Sequence, residues 1–159
     1  MKFLCDEMLQ RFGSWLRAAG YDTKIISDGR NDYDVIKLAR KENRILLTCD
    51  RALTQYRDAE KNVVLLTSGS LDELAKQTSQ KCHVNWKLHP FSRCLTCNSD
   101  LIEASEAQRK TLPSDIVQSE NSHDIYYCAN CNKIYWDGDH ARRMREQLEK
   151  WNAAYTAAE

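Results

Sequence analysis

Four cysteines in two Cys-x-x-Cys pairs, Cys94-Leu95-Thr96-Cys97 and Cys128-Ala129-Asn130-Cys131, force the C-terminal half of this chain to converge on one point. Thiolates in two such pairs close a tetrahedral shell around zinc, and the segment that carries them becomes a zinc ribbon. The surroundings fit. Arg93 precedes the first pair and Asn98 follows it, while Asn132-Lys133-Ile134-Tyr135-Trp136 leaves the second as a strand would. A redox pair or a disulfide is the competing reading of the same spacing. Four protein ligands leave no open coordination position, so this zinc is expected to be structural and the chemistry to lie elsewhere.

The 159 residues suffice for one ordinary domain plus a small appendage, and a hydrophobic content of 42% permits a real core. Net charge is zero with acids and bases mixed throughout, so any nucleic-acid binding must use local patches. Asp6 falls where a signal peptide would need an apolar run, and no stretch approaches the roughly 20 apolar residues of a membrane span. Neither export nor a membrane is expected. Seven cysteines, four in metal spacing and three scattered, suit a reducing cytosol, so a cytoplasmic location is expected.

Residues 1–80 alternate short apolar runs with helical patterns. Phe3-Leu4-Cys5 reads as a buried strand, and Met8, Leu9, Phe12, Trp15, Leu16 and Ala19 recur at helical spacing up to a capping Gly20. Thr23 to Ile26, Ile45 to Thr48 and Val63 to Leu66 read as further strands. Between them a helix starts near Asn31 or Asp32 and ends near Asn43, and a short helix covers 51–57. Ser70-Leu71-Asp72-Glu73 is a capping box that opens a third long helix. Strands recurring with helices between them predict an α/β domain with a parallel sheet. Residues 81–92 carry Pro90 and little periodicity and read as a linker. The ribbon follows over about 93–138, with a polar loop from Asp115 to Asp124. Asp139 caps a final helix, so 93–159 forms the second unit.

Ligands of open parallel sheets sit at the carboxyl ends of the strands. Asp6 follows the first strand and Asp50 the third, in the rhyming contexts Leu4-Cys5-Asp6 and Thr48-Cys49-Asp50. Asp32 and Asp34 open the second helix on the same edge. Carboxylates gathered there repel one another unless a cation neutralises them, and hard oxygen ligands select magnesium or manganese. Such ions activate water and stabilise phosphoryl oxygens, which makes phosphodiester hydrolysis the natural chemistry. The plain alternatives are that Asp32 or Asp34 caps a helix and that Asp6 and Asp50 are strand-end turn residues.

The chain resembles the Mut-seven C-terminal RNase family, a PIN-like nuclease domain fused to a zinc ribbon. Lys2-Phe3-Leu4-Cys5-Asp6-Glu7-Met8-Leu9 is similar to its opening strand and acid, and Trp15 to Thr23 to its next helix, ending at Gly20-Tyr21-Asp22. Asp32-Tyr33-Asp34-Val35-Ile36-Lys37-Leu38-Ala39-Arg40 and Arg44-Ile45-Leu46-Leu47-Thr48-Cys49-Asp50-Arg51 resemble its acidic helix and third strand end. At the back, Arg93 to Asn98 and Cys128 to His140 resemble its ribbon, most specifically through Tyr135-Trp136-Asp137-Gly138-Asp139-His140. The resemblance implies a metal-dependent RNase of PIN type, with Asp6, Asp32 and Asp50 holding magnesium or manganese and Asp34 as a fourth acid. Cys49 stands where the family pattern has a basic residue, and Asp34 where it has Glu. PIN-type domains often pair, so a homodimer is a further expectation.

For RNA contacts the candidates are Arg11, Arg17 and Arg51 near the acidic edge, and Tyr135, Trp136, His140, Arg142, Arg143 and Arg145 on the ribbon side. There aromatics would stack on bases and cations would hold the backbone. Solvated helix faces and a covered ribbon core are the competing readings. Trp15 reads as core, and Cys5 and Cys49 as small buried strand residues. Cys82, His83 and His89 have poor spacing for a second zinc site. Function then divides between a metal-dependent ribonuclease whose ribbon helps dock RNA and a catalytically weak RNA- or ribosome-binding module with the same fold. A thiol-redox protein is the third reading.

Overall fold

The protein is described here from a computed structural model, which places residues 1–57, 59–118 and 124–156. Four parallel strands form the central sheet: β1 (Lys2–Cys5), β2 (Asp22–Ile25), β3 (Ile45–Thr48) and β4 (Val63–Leu65), in the spatial order β2-β1-β3-β4. The connections carry α1 (Gln10–Ala18) after β1, α2 (Asp32–Lys41) after β2 and a 3-10 segment, Arg51–Gln55, after β3. α3 (Leu71–Cys82) follows β4 and starts with the expected capping box, Ser70 and Glu73 each bonding the other's backbone N–H. α1 ends where Gly20 takes φ +101°, a left-handed turn closed by Gly20 N–H to Arg17 O and Tyr21 N–H to Leu16 O.

The pleat sorts the strand residues onto two faces. Phe3, Cys5 and Leu47 join Phe12 and Leu16 of α1, Leu74 and Ala75 of α3, and residues further along the chain. Leu4 and Leu46 point the other way, against Val35, Ile36 and Ala39 of α2 and against Leu53. Cover on both faces is why these strands read as unbroken apolar runs.

The C-terminal region contains a second, antiparallel sheet of β5 (Ile102–Glu103), β6 (Tyr126–Cys128) and β7 (Lys133–Tyr135), two one-turn helices, α4 (Glu106–Arg109) and α5 (Ser114–Val117), and the long α6 (Asp139–Tyr155). The expected polar loop from Asp115 to Asp124 begins inside α5, and residues 119–123 of it lie outside the described residues. Gly138 occupies the N-cap of α6, and Asp139 is the first helical residue rather than the cap. Among the described residues no helix is long and apolar enough to cross a membrane.

The segment read as a linker is packed. Val84 and Trp86 are fully buried, and Trp86 stacks edge-on against Phe12 and Trp151, with its indole N–H donating to Ser79 Oγ at 2.8 Å. Met144, Leu148 and Trp151 of α6 fall at helical spacing into the core that holds Phe3 and Phe12. The turns around Trp86 thus redirect the chain, and α6 packs back into the core beneath the parallel sheet. Of its apolar residues, Cys82, Val84 and Trp86 are buried while Leu88 is exposed, a division that periodicity over so short a stretch does not reveal.

Candidate functional site

The strand order has a switch point between β1 and β3. The chain leaves β1 toward α1 on one face, and leaves β2 toward α2 on the other, so a crevice opens at the carboxyl ends of β1 and β3. Asp6 and Asp50 stand at those two ends. Thr48, the last residue of β3, joins them: its hydroxyl donates to Asp6 Oδ2 and accepts the Asp50 backbone N–H at 2.9 Å. Asp6 Oδ1 accepts from Met8 N–H at 3.1 Å and Asp50 Oδ1 from Ala52 N–H at 2.8 Å, so each acid also starts a 3-10 turn. Each keeps one carboxylate oxygen outside that capping bond. Burial pushes the Asp6 carboxyl above its ordinary value, against the lowering pull of the Thr48 hydroxyl and the N–H groups of Met8, Leu9 and Cys49.

Asp32 and Asp34 open α2 on the same edge. The cap is Asn31, whose Oδ1 accepts from Asp34 N–H at 3.0 Å while its amide donates to Asp34 Oδ2 at 2.9 Å. Neither aspartate is needed as the N-cap. Among the described residues no three carboxylates of this edge lie within 4.8 Å of one another, so the acids line an open edge instead of closing a cage. Such a donor set fits magnesium, which keeps several waters and takes one or two carboxylates plus substrate oxygens. Thr48 is the residue here to which sequence reasoning assigned no role; its position two before Asp50 at a strand end was the available signal.

The cysteine centre has the opposite character. The Sγ atoms of Cys94, Cys97, Cys128 and Cys131 all lie within 4.8 Å of one another, with Cys94–Cys131 at 3.9 Å and Cys97–Cys128 at 3.5 Å. A tetrahedron with Zn–S bonds of about 2.3 Å has edges near 3.8 Å, so the four sulfurs are spaced to hold zinc. Asn98 and Asn132, each directly after a pair, adopt the left-handed conformation (φ +71° and +54°) that turns the chain around the centre. Burial alone would raise the Cys97 thiol, but hydrogen bonds from Ser99 and Asn130 bring it down to about 5. Cys131, beside Cys97, is pushed up to about 12. Four thiolates cannot all ionise unaided, and a bound cation is what permits it.

The seam between the two sheets is polar and fully bonded. Arg17 donates from Nε to Thr23 O (2.8 Å) and from Nη1 to Leu95 O (2.8 Å) and Thr96 O (2.9 Å) of the first cysteine pair. It is 6% exposed, and its guanidinium ties the ribbon to β2 where sequence reasoning had offered it to RNA phosphate. Asn98 adds a second lock, accepting from Thr23 N–H (2.9 Å) and donating to Asp22 Oδ1 (2.7 Å), which Arg44 also binds at 2.7 Å. Burial would raise the Asp22 carboxyl, but Arg44 and Asn98 hold it below its ordinary value.

The other RNA candidates separate. Arg11 is exposed at the start of α1 and lines a groove with Leu95 and Thr96 at the tip of the first cysteine pair. Arg51 is exposed directly after Asp50. Tyr135 stands at the metal centre, its half-buried hydroxyl 3.0 Å from Cys94 Sγ. Trp136 is exposed and shares a pocket with Phe91 and Arg145, whose guanidinium lies 5.0 Å over the Phe91 ring. Phe91 N–H bonds Ala18 O at the far end of α1, so that pocket lies away from the acids. His140 and Arg143 are exposed on α6, and Arg142 pairs with Asp139. Cys82, His83 and His89 form no metal-binding group among the described residues.

Comparison with known proteins agrees with this anatomy. No solved structure matches the chain significantly. The human protein "Exonuclease mut-7 homolog" is 31% identical over 228 aligned residues, covering 93% of this chain and 26% of the relative, so the chain spans about a quarter of that protein's length. The family profile of the Mut7-C RNase domain matches residues 1–148, from β1 into α6, and the chain therefore belongs to the Mut7-C RNase domain family.

Proposed function

We propose that this protein is a metal-dependent ribonuclease of PIN type that hydrolyses RNA phosphodiester bonds at the acidic edge, with the zinc ribbon helping to dock the RNA. The observation that carries this reading is the pairing of Asp6 and Asp50 through Thr48 at the β1/β3 switch point. Asp6, Asp50 and Asp32 would hold magnesium or manganese, with Asp34 as a fourth acid. The ion, when bound, supplies an activated water and charge for the phosphoryl oxygens. The protein's own part is orientation. Thr48 fixes the Asp6 carboxylate, the N–H groups of Met8 and Ala52 fix one oxygen of each acid, and half-burial of Asp6 gives its charge a reason to recruit a cation. Arg51, exposed directly after Asp50, would hold a phosphate oxygen.

Zinc would hold the four cysteines, and the tip of the first pair, Leu95-Thr96, would form one bank of the groove that Arg11 shares. Lys133 Nζ donates to Thr96 Oγ1 at 3.0 Å and adds a positive charge there. Labelled single-stranded RNA incubated with manganese tests the reading. Wild-type protein should cleave it, and Asp6→Asn and Asp50→Asn should not. Fully active variants would sink this mechanism. A protein that binds RNA without cleaving it under any divalent ion would instead be the catalytically silent module.

A further inference from the structure

Two walls descend from the acidic edge, and each begins at an aspartate. One is α2, opened by Asp32 and Asp34; the other is the 3-10 segment capped by Asp50. The groove between them holds Tyr33 and Tyr56, which are 61% and 38% exposed. Tyr33, Lys37 and Lys41 recur every fourth residue and so share one face of α2. Arg57 follows Tyr56 on the opposite wall, and Arg40 also lines the groove. Among the described residues no carboxylate lines it, and Lys37, Lys41 and Arg57 have no ion-pair partner. In a chain of zero net charge, this gathers cations around two solvent-facing rings.

Aromatic rings set between cations suit single-stranded nucleic acid, because bases stack on the rings while phosphates meet the charges. We propose that the α2 groove is a track for single-stranded RNA, in which Tyr33 and Tyr56 stack on bases and Lys37, Lys41 and Arg57 neutralise phosphates. Tyr33 lies between Asp32 and Asp34 in the chain, so a strand on this track continues onto the acids. The inference rests on the ribonuclease reading for the occupant and extends it from the chemistry to the path of the substrate.

The test is fluorescence anisotropy with a labelled single-stranded RNA, using the full chain in its zinc-loaded form, without added divalent ion or chelator. Tyr33→Ala and Tyr56→Ala should each weaken binding about tenfold, and Tyr33→Phe should restore it. Exchanging Lys37, Lys41 and Arg57 for Ala should lower the slope of log affinity against log salt by about 2, at roughly 0.7 per phosphate contact. All five side chains are on the surface, so melting temperatures should stay close to wild type. Wild-type affinity in the Tyr33→Ala/Tyr56→Ala double variant overturns the proposal, as does loss confined to Trp136→Ala and Arg143→Ala, which would put the RNA on the ribbon. Manganese-dependent cleavage that ignores the groove variants defeats this inference and leaves the ribonuclease reading intact. Groove-dependent binding without cleavage does the reverse.

Discussion

The cysteine centre and the acidic edge are both four-residue sets drawn from separated loops, yet they are built on opposite terms. The four sulfurs close on one another within 4.8 Å and are tied to Tyr135, Ser99 and the surrounding backbone. The acids stay apart, and each of Asp6 and Asp50 keeps an oxygen beyond its cap. A structural ion needs every ligand supplied by the protein, because an open position would admit water and loosen the fold. A catalytic ion needs the reverse, since the substrate must take part of the shell. On the ribonuclease reading, completeness in one place and openness in the other is a difference of task.

The largest effect should come from emptying the closed site. Cys97→Ser or a strong chelator should remove about one zinc per chain and with it on the order of 10 kcal/mol of folding free energy in the ribbon. Zinc content and thermal melting measure it. A ribbon that keeps its melting transition without zinc would break the contrast between the sites. The seam comes next. Arg17→Met leaves three backbone carbonyls short of a charged donor and should cost about 3 kcal/mol. Because Arg17 holds the first cysteine pair, it should also speed zinc release to a chelating dye. Unchanged release would mean that the ribbon stands without the sheet.

At the open site, Asp6→Asn and Asp50→Asn should lower cleavage at least about a hundredfold, as loss of a metal-holding charge does, while both variants stay folded. Asn still caps the turn that each acid starts. Thr48→Val removes the hydroxyl joining the two acids and should cost about 1 kcal/mol of stability, with a visible fall in kcat. An unaltered kcat would show that the acids hold their places without it. The smallest effect has a definite sign. Folding raises the Asp6 pKa, so the folded state binds that proton more tightly than the unfolded state. The stability it contributes is present below the ordinary carboxylate pKa and is lost as pH rises through the raised value. Without a divalent ion, the melting temperature of Asp6→Asn relative to wild type should therefore climb as pH rises above the ordinary carboxylate range. A flat difference would mean that Asp6 is not strained by burial, and the case for cation recruitment there would weaken.

The capping box at Ser70 and the strand Ile45–Thr48 lie where their local pattern puts them, because hydrogen-bonding side chains and apolar runs act over a few residues. Asp6 and Asp50 were visible as strand-end acids for the same reason. The parts played by Trp86 and Arg17 depend on residues far along the chain. Trp86 is buried by Trp151, and Arg17 finds its acceptors at Leu95 and Thr96. Trp136, a candidate RNA contact on the ribbon side, lies toward the end of α1 far from the acids, a matter of how the ribbon docks.

By itself, the sequence determined the pieces: four thiols spaced for one metal, an alternation of strands and helices, and carboxylates at strand ends. These follow from chemistry and periodicity over short stretches. Only the tertiary structure decided the strand order that makes β1 and β3 the switch point, and with it the meeting of Asp6, Thr48 and Asp50. It also decided that the ribbon is bolted to β2 and that α6 completes the first core. Those outcomes turn on contacts between residues more than forty positions apart, whose geometry is settled by packing and leaves no mark in the local pattern.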